Sequence, residues 1–397
     1  MEVTDVQYKE SEIGVIPVDW NVKKISDFSK PVRGGSPRPA GSPLYFNGDY
    51  IPWLTVAALT NISSSQIFVS ETEGFLTQLG SEYSRTLEKD TLIIANSGAT
   101  LGVAKLLAIK CCANDGIAAL NNFSREVDKA YVVYYINSIT QKLREVVATG
   151  NGQPNLNTTL IGDLRIPLPP TKSEQTAIAT ALSDTDALIE NLEKLIAKKR
   201  NIKQGVMQEL LTGRKRLAGF NGEWMKIKLG DICDIRKGQL ITEKTAAGGE
   251  FPVIAGGINP SYFHNRPNRG KNTITISASG ANAGYVSFHR NPIFASDCST
   301  IEEKGTFNIV YIFFLLQLFQ KKIFKLQTGG AQPHVYPEHL KPLELVFPQE
   351  VTEQDAIANI LIDIDEELSG LEKQMNKYQL IKQGMMQTLL TGKIRLV

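Results

Sequence analysis

The chain has 397 residues, of which 42% are hydrophobic and 21% are charged, and its formal net charge is +2. This length predicts two or more domains, and the composition excludes an intrinsically disordered chain. The small net charge does not by itself indicate nucleic-acid binding, so DNA contacts would require local positive patches. No apolar run reaches about 18 residues, and residues 1–12 do not resemble a signal peptide, which predicts a cytoplasmic protein without a membrane segment.

Residues 1–170 are predicted to form a first globular domain of mixed helix and strand content. Residues 91–95 predict a strand, and residues 129–147 predict a helix late in the segment. Polar loops combine cations, amides and hydroxyl groups with glycine, and such groups bind base edges and phosphates, although a plain turn is the alternative for any one loop. The candidate DNA-binding residues of this domain are Arg33, Gly34, Gly35, Arg38, Ser97, Thr100, Gln153 and Asn155.

Residues 171–217 are predicted to form a long helix. Apolar residues such as Ile178 and Leu182 recur at spacings of three, four and seven, which is typical of a coiled-coil seam. Ser173 is expected to cap the start of this helix, and Gly213 is expected to end it.

Residues 218–349 are predicted to form a second globular domain of the same kind. Strands are expected at residues 273–276 and 285–288, and a helix is expected at residues 308–326. Its polar loops resemble those of the first domain in composition and order. The candidate DNA-binding residues here are Arg236, Lys237, Gln239, Ser279, Asn282, Gln332 and His334.

Residues 350–397 are predicted to form a second long helix that copies the first. Residues 381–392 (IKQGMMQTLLTG) repeat residues 202–213 (IKQGVMQELLTG) almost letter for letter. Thr352 and Gly392 are therefore expected to start and end this copy, as their counterparts do in the first helix.

The two halves form a cyclic pattern, because the chain ends where its own beginning would follow on. Such a pattern is expected if the halves are related by a pseudo-two-fold axis. Each long helix has one apolar stripe and needs a partner, and its own copy is the natural one. We therefore predict an α/β (α+β) fold with two globular domains joined by two long helices packed as an antiparallel coiled coil. The alternative is an ordinary helical-bundle core.

Polar residues near the ends of both helices are almost identical in the two copies. This suggests that one partner-binding surface is presented twice. Reversing the charge of Lys203 and Lys382 is expected to weaken assembly while the fold stays intact. The candidate partner-binding residues are Lys203, Gln204, Gln208, Lys382, Gln383 and Gln387.

The sequence contains no recognisable catalytic or metal-binding signature. It has no phosphate-binding loop, no glycine-rich nucleotide fingerprint and no D/N-P-P-Y/F/W tetrapeptide. The cysteines form no C-x-x-C pair, which predicts buried free thiols. Acids early in the helices are expected to be solvated or to interact with the helix dipole; they are Asp184, Asp186, Asp363 and Asp365.

The doubled set of motifs resembles the specificity subunits of type I restriction–modification systems. The motifs are W-x4-[IL]-x-D from Trp20 and Trp224, two S-G-A loops, two [ST]-G-x2-Q-P segments, two E-Q-x-A-I-A helix starts and the two I-K-Q-G-x-M-Q-x-L-L-T-G ends. The resemblance covers essentially the whole chain, and it rests on the order of the doubled set rather than on one motif.

The resemblance implies a non-catalytic subunit that binds double-stranded DNA. Each globular domain would read one half of a bipartite target, and the helices would set the spacer between the half-sites. Two modification subunits would dock and methylate adenine, and a restriction and translocase subunit would join them. S-adenosylmethionine, ATP and Mg would belong to those partners, with no cofactor in this chain.

Two other functions stay open from the residues alone. A coiled-coil scaffold without DNA binding would show no salt-sensitive binding to duplex DNA. A DNA-modifying enzyme with an unrecognised active site would transfer a methyl label as the isolated chain.

Overall fold

Two units with related sheet topology make up the chain in its computed structural model. Unit 1 contains Met1–Lys194 and Glu372–Val397, and unit 2 contains Leu195–Leu371. The residues that the structure describes are 7–147, 155–305, 307–330 and 332–396.

The strands of unit 1 form one five-stranded sheet, one four-stranded sheet and two strand pairs. They are β1 (Tyr8–Ser11), β2 (Gly14–Pro17), β3 (Asn21–Lys24), β4 (Lys30–Arg33), β5 (Phe46–Leu54), β6 (Phe68–Val69), β7 (Gly74–Leu76), β8 (Arg85–Leu87), β9 (Leu92–Ala95), β10 (Ala104–Leu107), β11 (Cys111–Ala113), β12 (Ile117–Asn121) and β13 (Arg165–Leu168).

The helices that begin in unit 1 are six short ones and one of 39 residues. They are α1 (Ile25–Phe28), α2 (Val56–Thr60), α3 (Gln78–Glu82), α4 (Lys129–Ser138), α5 (Thr140–Lys142), α6 (Thr158–Gly162) and α7 (Lys172–Leu210), with a π-helical turn at Leu143–Val147.

The elements of unit 2 follow a similar order. Its strands are β14 (Trp224–Lys228), β15 (Cys233–Lys237), β16 (Phe251–Ile254), β17 (Tyr262–His264), β18 (Thr273–Ser277), β19 (Val286–His289), β20 (Phe294–Ala295), β21 (Cys298–Glu303) and β22 (Glu344–Pro348). Its helices are α8 (Leu229–Ile232), α9 (Ile309–Leu318), α10 (Gln320–Phe324), α11 (Pro337–Leu340) and α12 (Val351–Leu389), with a 3-10 turn at Glu243–Thr245.

The sheet order is shared between the units. The order β4-β12-β9-β10 in unit 1 recurs as β15-β21-β18-β19 in unit 2, and β7-β5-β11 recurs as β17-β16-β20. Within the described residues, unit 1 adds β6 and β8 at the sheet edges. The central strand β9 is buried along its whole length, which explains why it reads as a continuous apolar run rather than an alternating one.

Each hydrophobic core includes the last turn of a long helix that began in the other part of the sequence. In unit 1, Leu389 and Leu390 of the α12 end pack with Ile178 and Leu182 near the α7 start. In unit 2, Leu210 and Leu211 of the α7 end occupy the same place, packed with Ile357 and Leu361 of α12. Full burial of one such leucine contributes about 1.5–3 kcal/mol.

The long helices run antiparallel within each unit. In unit 1, Asp186 near the α7 start lies 2.6 Å from Lys382 near the α12 end. In unit 2, Lys203 near the α7 end lies 2.6 Å from Asp365 near the α12 start. The predicted mixed fold with two long antiparallel helices is confirmed.

The sequence predicted the ends of the two long helices correctly but not their starts. Gly213 and Gly392 follow the two helices with φ +70, in the left-handed region that favours glycine, as predicted. The predicted caps were wrong. Helix α7 begins at Lys172, and the hydroxyl of Thr171 accepts the N–H of Glu174, so Ser173 lies inside the first turn. Thr352 likewise lies inside α12.

The E-Q pair at each helix start attaches the helix to its unit. Gln175 accepts the N–H of Asp128 at 2.9 Å and donates to the carbonyl of Pro169 at 3.2 Å. Gln354 accepts the N–H of Asn308 at 2.9 Å and donates to the carbonyl of Pro348 at 3.0 Å. Both glutamines are buried, so their amides satisfy backbone groups that water cannot reach.

The glutamate of each pair binds an arginine that lies just beyond a helix end. Arg395 forms two hydrogen bonds to Glu174, and Arg216 forms two to Glu353. The carboxylate side chains are 1% and 0% exposed. Each long helix is therefore fixed at its start by a cation from the other helix segment of the same unit.

Candidate nucleic-acid interface

Four segments of unit 1 meet beside the ends of its central strands. We call them loop cluster 1, which consists of residues 33–38, 96–100, 113–117 and 155–156. The N–H of Gly34 donates to the carbonyl of Ile117 at 2.8 Å. The N–H of Gly35 donates to the carbonyl of Ala113 at 2.9 Å. A Cβ atom on Gly34 would lie 2.1 Å from the carbonyl oxygen of Asn114, so this close backbone approach requires glycine.

Asp115 lies at the centre of loop cluster 1. Its carboxylate accepts a hydrogen bond from Ser36 Oγ at 2.8 Å, and its carbonyl accepts one from Arg33 Nε at 2.6 Å. The Nη2 atoms of Arg33 and Arg38 lie 3.8 and 3.6 Å from Asp115 Oδ2. These two side chains remain 58% and 72% exposed. Asp115 therefore holds two cations at the surface and leaves N–H groups available to an outside acceptor.

The loop at residues 96–100 joins the cluster through its backbone. The N–H of Asn96 donates to the carbonyl of Gly116 at 2.9 Å, and its carbonyl accepts the N–H of Leu156 at 2.9 Å. Ser97 is half-buried, whereas Thr100 is 9% exposed, so the Thr100 hydroxyl has little access to a ligand.

Loop cluster 1 thus brings together most of the residues predicted for the first domain. They are Arg33, Gly34, Gly35, Arg38, Ser97, Thr100 and Asn155, the last of which is half-buried. Gln153 lies outside the described residues.

Unit 2 contains the same arrangement. We call it loop cluster 2, which consists of residues 237–239, 278–282, 295–298 and 332–335. The N–H of Gly238 donates to the carbonyl of Cys298 at 2.8 Å, and the N–H of Gln239 donates to Ala295 at 2.9 Å. A Cβ atom on Gly238 would lie 2.1 Å from the carbonyl oxygen of Ser296. The close glycine–carbonyl approach is therefore built twice.

A cation precedes the close-approach glycine in both clusters. It is Arg33 in unit 1 and Lys237 in unit 2. Arg236, one position earlier, lies 2.7 Å from Asp234 and 3.7 Å from Glu302. Lys237 is therefore the structural counterpart of Arg33, and the charge of Arg236 is partly neutralised by its own sheet.

Asp297 occupies in loop cluster 2 the place that Asp115 has in loop cluster 1. Its carboxylate accepts a hydrogen bond from Ser279 Oγ, and its carbonyl accepts the N–H of Ala278 at 3.2 Å. The carbonyl of Ala278 accepts the N–H of Val335 at 3.0 Å, which ties in the last segment of the cluster.

The remaining predicted residues of unit 2 lie at the rim of this cluster. The rings of His334 and Tyr336 stack with centroids 5.5 Å apart, and Lys237 Nζ lies 5.8 Å from the Tyr336 ring. Gln332 is exposed and Asn282 is half-buried. Loop cluster 2 therefore presents a lysine, amides and stacked rings, whereas loop cluster 1 presents two arginines.

Sequence reasoning missed the two aspartates. Asp115 follows β11 by two residues, and Asp297 follows β20 by two residues. These strands are equivalent, because each pairs in parallel with a matching strand, β5 or β16. The neighbouring residues differ between the copies, so the repeat becomes visible only when the strands are superposed.

The predicted partner-binding lysines form ion pairs inside their units. Lys382 lies 2.6 Å from Asp186 and 5.7 Å from the ring of Tyr134. The Tyr134 hydroxyl donates to the other Asp186 oxygen at 2.8 Å. Burial raises the pKa of Asp186, while Lys382 opposes that change. The expectation that Asp186 is solvated or a dipole partner was wrong, because its side chain is 5% exposed.

Lys203 makes the matching contacts in unit 2. It lies 2.6 Å from Asp365 and 5.2 Å from the ring of Phe314. Reversing the charge of such a lysine would place two acids together, so the fold is not expected to stay intact. The predicted amides around the lysines are exposed: Gln204, Gln208, Gln383 and Gln387.

Other chemistry is limited in the part of the chain that the structure describes. No group of three His, Cys, Asp or Glu there is placed to hold a metal ion. All four cysteines are buried and free, as predicted. Burial raises the pKa of Cys111, Cys233 and Cys298 to about 12, which keeps these thiols protonated. No described helix combines the length and apolar character needed to cross a membrane.

A family profile matches both halves of the chain. The profile, described as type I restriction modification DNA specificity domain, matches residues 17–199 and again residues 221–382. Together these ranges include most of both units.

Individual relatives are distant but collinear. The type I restriction enzyme MjaVIII specificity subunit of Methanocaldococcus jannaschii is 24% identical, covering 98% of this chain and 96% of the relative. A putative type I specificity subunit of Mycoplasma genitalium is 25% identical, covering 66% of this chain and 71% of the relative. The solved S subunit of a type I restriction–modification system from M. genitalium has a TM-score of 0.70 at 19% identity, covering 98% of both chains, and therefore shares the fold.

Proposed function

Because this chain belongs to the type I restriction–modification DNA specificity family, we propose that each of its units reads one half of a bipartite DNA target. The chain is a specificity subunit, the non-catalytic recognition component of such a system. One observation supports the division of labour. The two units contain the same four-segment loop cluster, with the same backbone contacts but different side chains at the surface. Two unlike half-sites require different side chains in contact with the bases, and these can be presented on the same backbone arrangement.

In loop cluster 1, the proposed readers are the exposed guanidinium groups of Arg33 and Arg38. Arginine donates two parallel hydrogen bonds to guanine O6 and N7, and a carboxylate behind it fixes its direction. Gly34 and Gly35, whose N–H groups are bonded within the cluster, hold the loop in place and are proposed contacts of lower rank. Ser97, Thr100, Gln153 and Asn155 remain proposed contacts of lower rank.

In loop cluster 2, the proposed readers are Lys237 and Gln239. Lysine suits a phosphate or guanine, and glutamine suits adenine N6 and N7. Ranked after them are Arg236, Ser279, Asn282, Gln332 and His334. Arg236 is ranked lower than Lys237 because its charge already interacts with Asp234 and Glu302.

The segments are proposed to divide the work as their sequences suggest. Residues 1–170 and 218–349 would be the target-recognition domains, and residues 171–217 and 350–397 the helical regions. The helices would set the spacer, and their exposed glutamines, with Lys203 and Lys382 behind them, would dock two modification subunits. A restriction and translocase subunit would join this complex. S-adenosylmethionine, ATP and Mg would be bound by those partners, and the assembly would act on DNA in the cytoplasm.

Methylation mapping tests the proposal directly. Cells that express this chain with its modification subunit should gain methylated adenines at one bipartite motif, and cells with the modification subunit alone should not. Replacing residues 1–170 with those of another specificity subunit should change one half-site only. Methylation without a motif, or binding of duplex DNA that salt does not weaken, would refute it.

A further inference from the structure

Unit 1 contains a cavity beside the end of α12 that the proposed contacts with DNA do not explain. Its volume is about 400 Å³. Two lysines line it together with amides, hydroxyl groups and apolar side chains. The polar lining includes Lys105, Lys382, Asn137, Thr140, Gln379 and Gln383.

Lys105 is a buried cation without a counter-ion of its own. It lies on β10 and is 3% exposed. Its Nζ donates to the carbonyl of Ser63 at 2.9 Å and to the carbonyl of Gln66. Within the described chain, no carboxylate lies within ion-pair distance of Lys105. Carbonyl dipoles alone compensate poorly for removing a full charge from water.

The nearby acids do not pair with Lys105. Asp186 is bound through one oxygen by Lys382 at 2.6 Å and through the other by the Tyr134 hydroxyl at 2.8 Å. Glu193 accepts from the Ser63 hydroxyl at 3.3 Å, and it is not among the residues that line the cavity. The cavity therefore has two ammonium groups for the single carboxylate that pairs with Lys382. It has a surplus positive charge and is open to one further carboxylate.

The surplus charge is not a requirement of the fold. In the sheet of unit 1, Lys105 pairs with Ile93. The equivalent pair in the sheet of unit 2 is Ser287 with Thr275, so a serine occupies the position of the lysine. The pair of Lys203 and Asp365 in unit 2 is thus balanced, without a second lysine from the sheet. The same backbone positions form a stable sheet in unit 2 without this lysine.

We propose that this cavity receives one carboxylate side chain, Asp or Glu, from a docked modification subunit. The inference rests on the proposed function, because that subunit is the partner expected on the helix surface. Gln383 of that surface and the exposed Gln379 one turn earlier also line the cavity, so a side chain entering past them reaches Lys105 and Lys382. Charge complementarity selects a carboxylate, which can accept one N–H from each ammonium group.

The decisive variant is Lys105→Met, which keeps the length of the side chain and removes its charge. We expect it to bind the modification subunit at least about ten-fold more weakly at the unit 1 site, since it loses a charge-assisted contact. The chain alone should melt at an equal or higher temperature, because a buried unpaired charge has been removed. Weaker binding of the modification subunit together with an unchanged or higher melting temperature would show that Lys105 acts in docking. Substitution of a residue with only a structural role would lower both.

Lys110→Met is the matched control, because Lys110 is in the same unit but exposed and paired with Glu88. It should leave assembly unchanged. Equal assembly of wild type, Lys105→Met and Lys110→Met would overturn the inference. Failure of wild type to bind the modification subunit at all would instead refute the proposed function.

Carbodiimide cross-linking of the wild-type complex gives a second test that does not depend on a variant. The reagent joins a carboxylate to a neighbouring amine with loss of water. Mass spectrometry should find Lys105 or Lys382 joined to an Asp or Glu of the modification subunit. Absence of that link would count against the inference. Millimolar inorganic phosphate would also count against the inference if it stabilised the isolated chain as much as the modification subunit does. That result would identify a free anion as the ligand.

Discussion

At the scale of single residues, the two units differ most in the charged groups at their loop clusters. Arg33 and Arg38 share Asp115 in unit 1, whereas Lys237 lies beside the Tyr336 ring in unit 2. The backbone around them is held by the same hydrogen bonds. Under the proposed function, specificity would therefore differ between the units through side chains, while the backbone arrangement stays the same.

The first prediction concerns these cations. Arg33→Ala and Lys237→Ala should each weaken binding to the cognate duplex by about 1–3 kcal/mol, because a direct contact to base or phosphate is lost. Arg236→Ala is the matched comparison and should cost less, since its charge is already paired. Fluorescence anisotropy at several salt concentrations measures these effects. A larger loss for Arg236 than for Lys237 would contradict the assignment.

The second prediction concerns pH and Lys105. Burial, and next the charge of Lys382, lower the pKa of Lys105 to about 8 from 10.5. The unfolded chain then holds this proton more tightly, so folding is penalised below pH 8 and the penalty declines as pH rises to 10.5. Relative to wild type, Lys105→Met should therefore be more favourable at pH 7 than at pH 10, by on the order of 2 kcal/mol in the free energy of unfolding.

Urea unfolding of the isolated chain at pH 7 and pH 10 measures this difference. Lys110→Met serves as the control, because its side chain is 56% exposed, and should change stability by no more than about 0.5 kcal/mol at either pH. A gain for Lys105→Met that does not shrink with rising pH would refute the explanation.

At the scale of elements, the long helices are fixed at both ends by repeated contacts. Arg395 reaches Glu174 in unit 1, and Arg216 reaches Glu353 in unit 2, over the rings of Trp20 and Trp224 respectively. In both units, therefore, the E-Q pair at the start of one long helix and the arginine beyond the end of the other form the same contacts. Internal contacts therefore account for part of the similarity between the two copies.

The third prediction tests these arginine–glutamate ion pairs. Arg395→Met should destabilise unit 1 by about 3–5 kcal/mol, because it leaves the buried Glu174 carboxylate unpaired. Arg216→Met should do the same to unit 2. Arg290→Met is the control, since Arg290 and Glu366 are 62% and 61% exposed, and should cost less than about 1 kcal/mol.

Hydrogen exchange shows where each variant acts. Protection should fall at the start of α7 for Arg395→Met and at the start of α12 for Arg216→Met. If both variants behaved like the exposed control, these ion pairs would contribute little to the folding of their units.

At the scale of the whole molecule, each long helix belongs to both units. Helix α7 continues without a break across the boundary between Lys194 and Leu195, and α12 does so between Leu371 and Glu372. A helix of 39 residues is about 58 Å long at about 1.5 Å per residue. Under the proposed function, the number of helical residues would set the spacer between the two half-sites.

The fourth prediction follows from this continuity. Inserting matched helical residues at the unit boundaries, after Lys194 in α7 and after Leu371 in α12, should alter the preferred spacer in methylation mapping while both half-site sequences stay the same. The physical reason is that the insertion changes the length of chain between one recognition domain and the next. An insertion that preserves methylation with an unchanged spacer would show that the helix length does not set it.

The sequence alone was enough to predict the repeat, the two long helices and their glycine ends. It predicted strands close to β9, β18 and β19, and most of the residues that it proposed as DNA contacts lie together in the two loop clusters. These features depend on local periodicity, on turn residues and on comparison of the chain with itself, all of which are visible without coordinates.

Only the tertiary structure decided which charged residues are paired and where they are directed. The offset between Trp20 and Trp224 already aligns Lys237 with Arg33, but the structure shows that Arg236 is paired with Asp234 and Glu302, whereas Lys237 lies beside the Tyr336 ring. It revealed Asp115 and Asp297, which are placed by strands distant in sequence. It also showed that Lys203 and Lys382 pair with acids inside their units and that, among the residues the structure describes, no acid pairs with Lys105. Pairing and burial depend on contacts between distant residues, which no local pattern records.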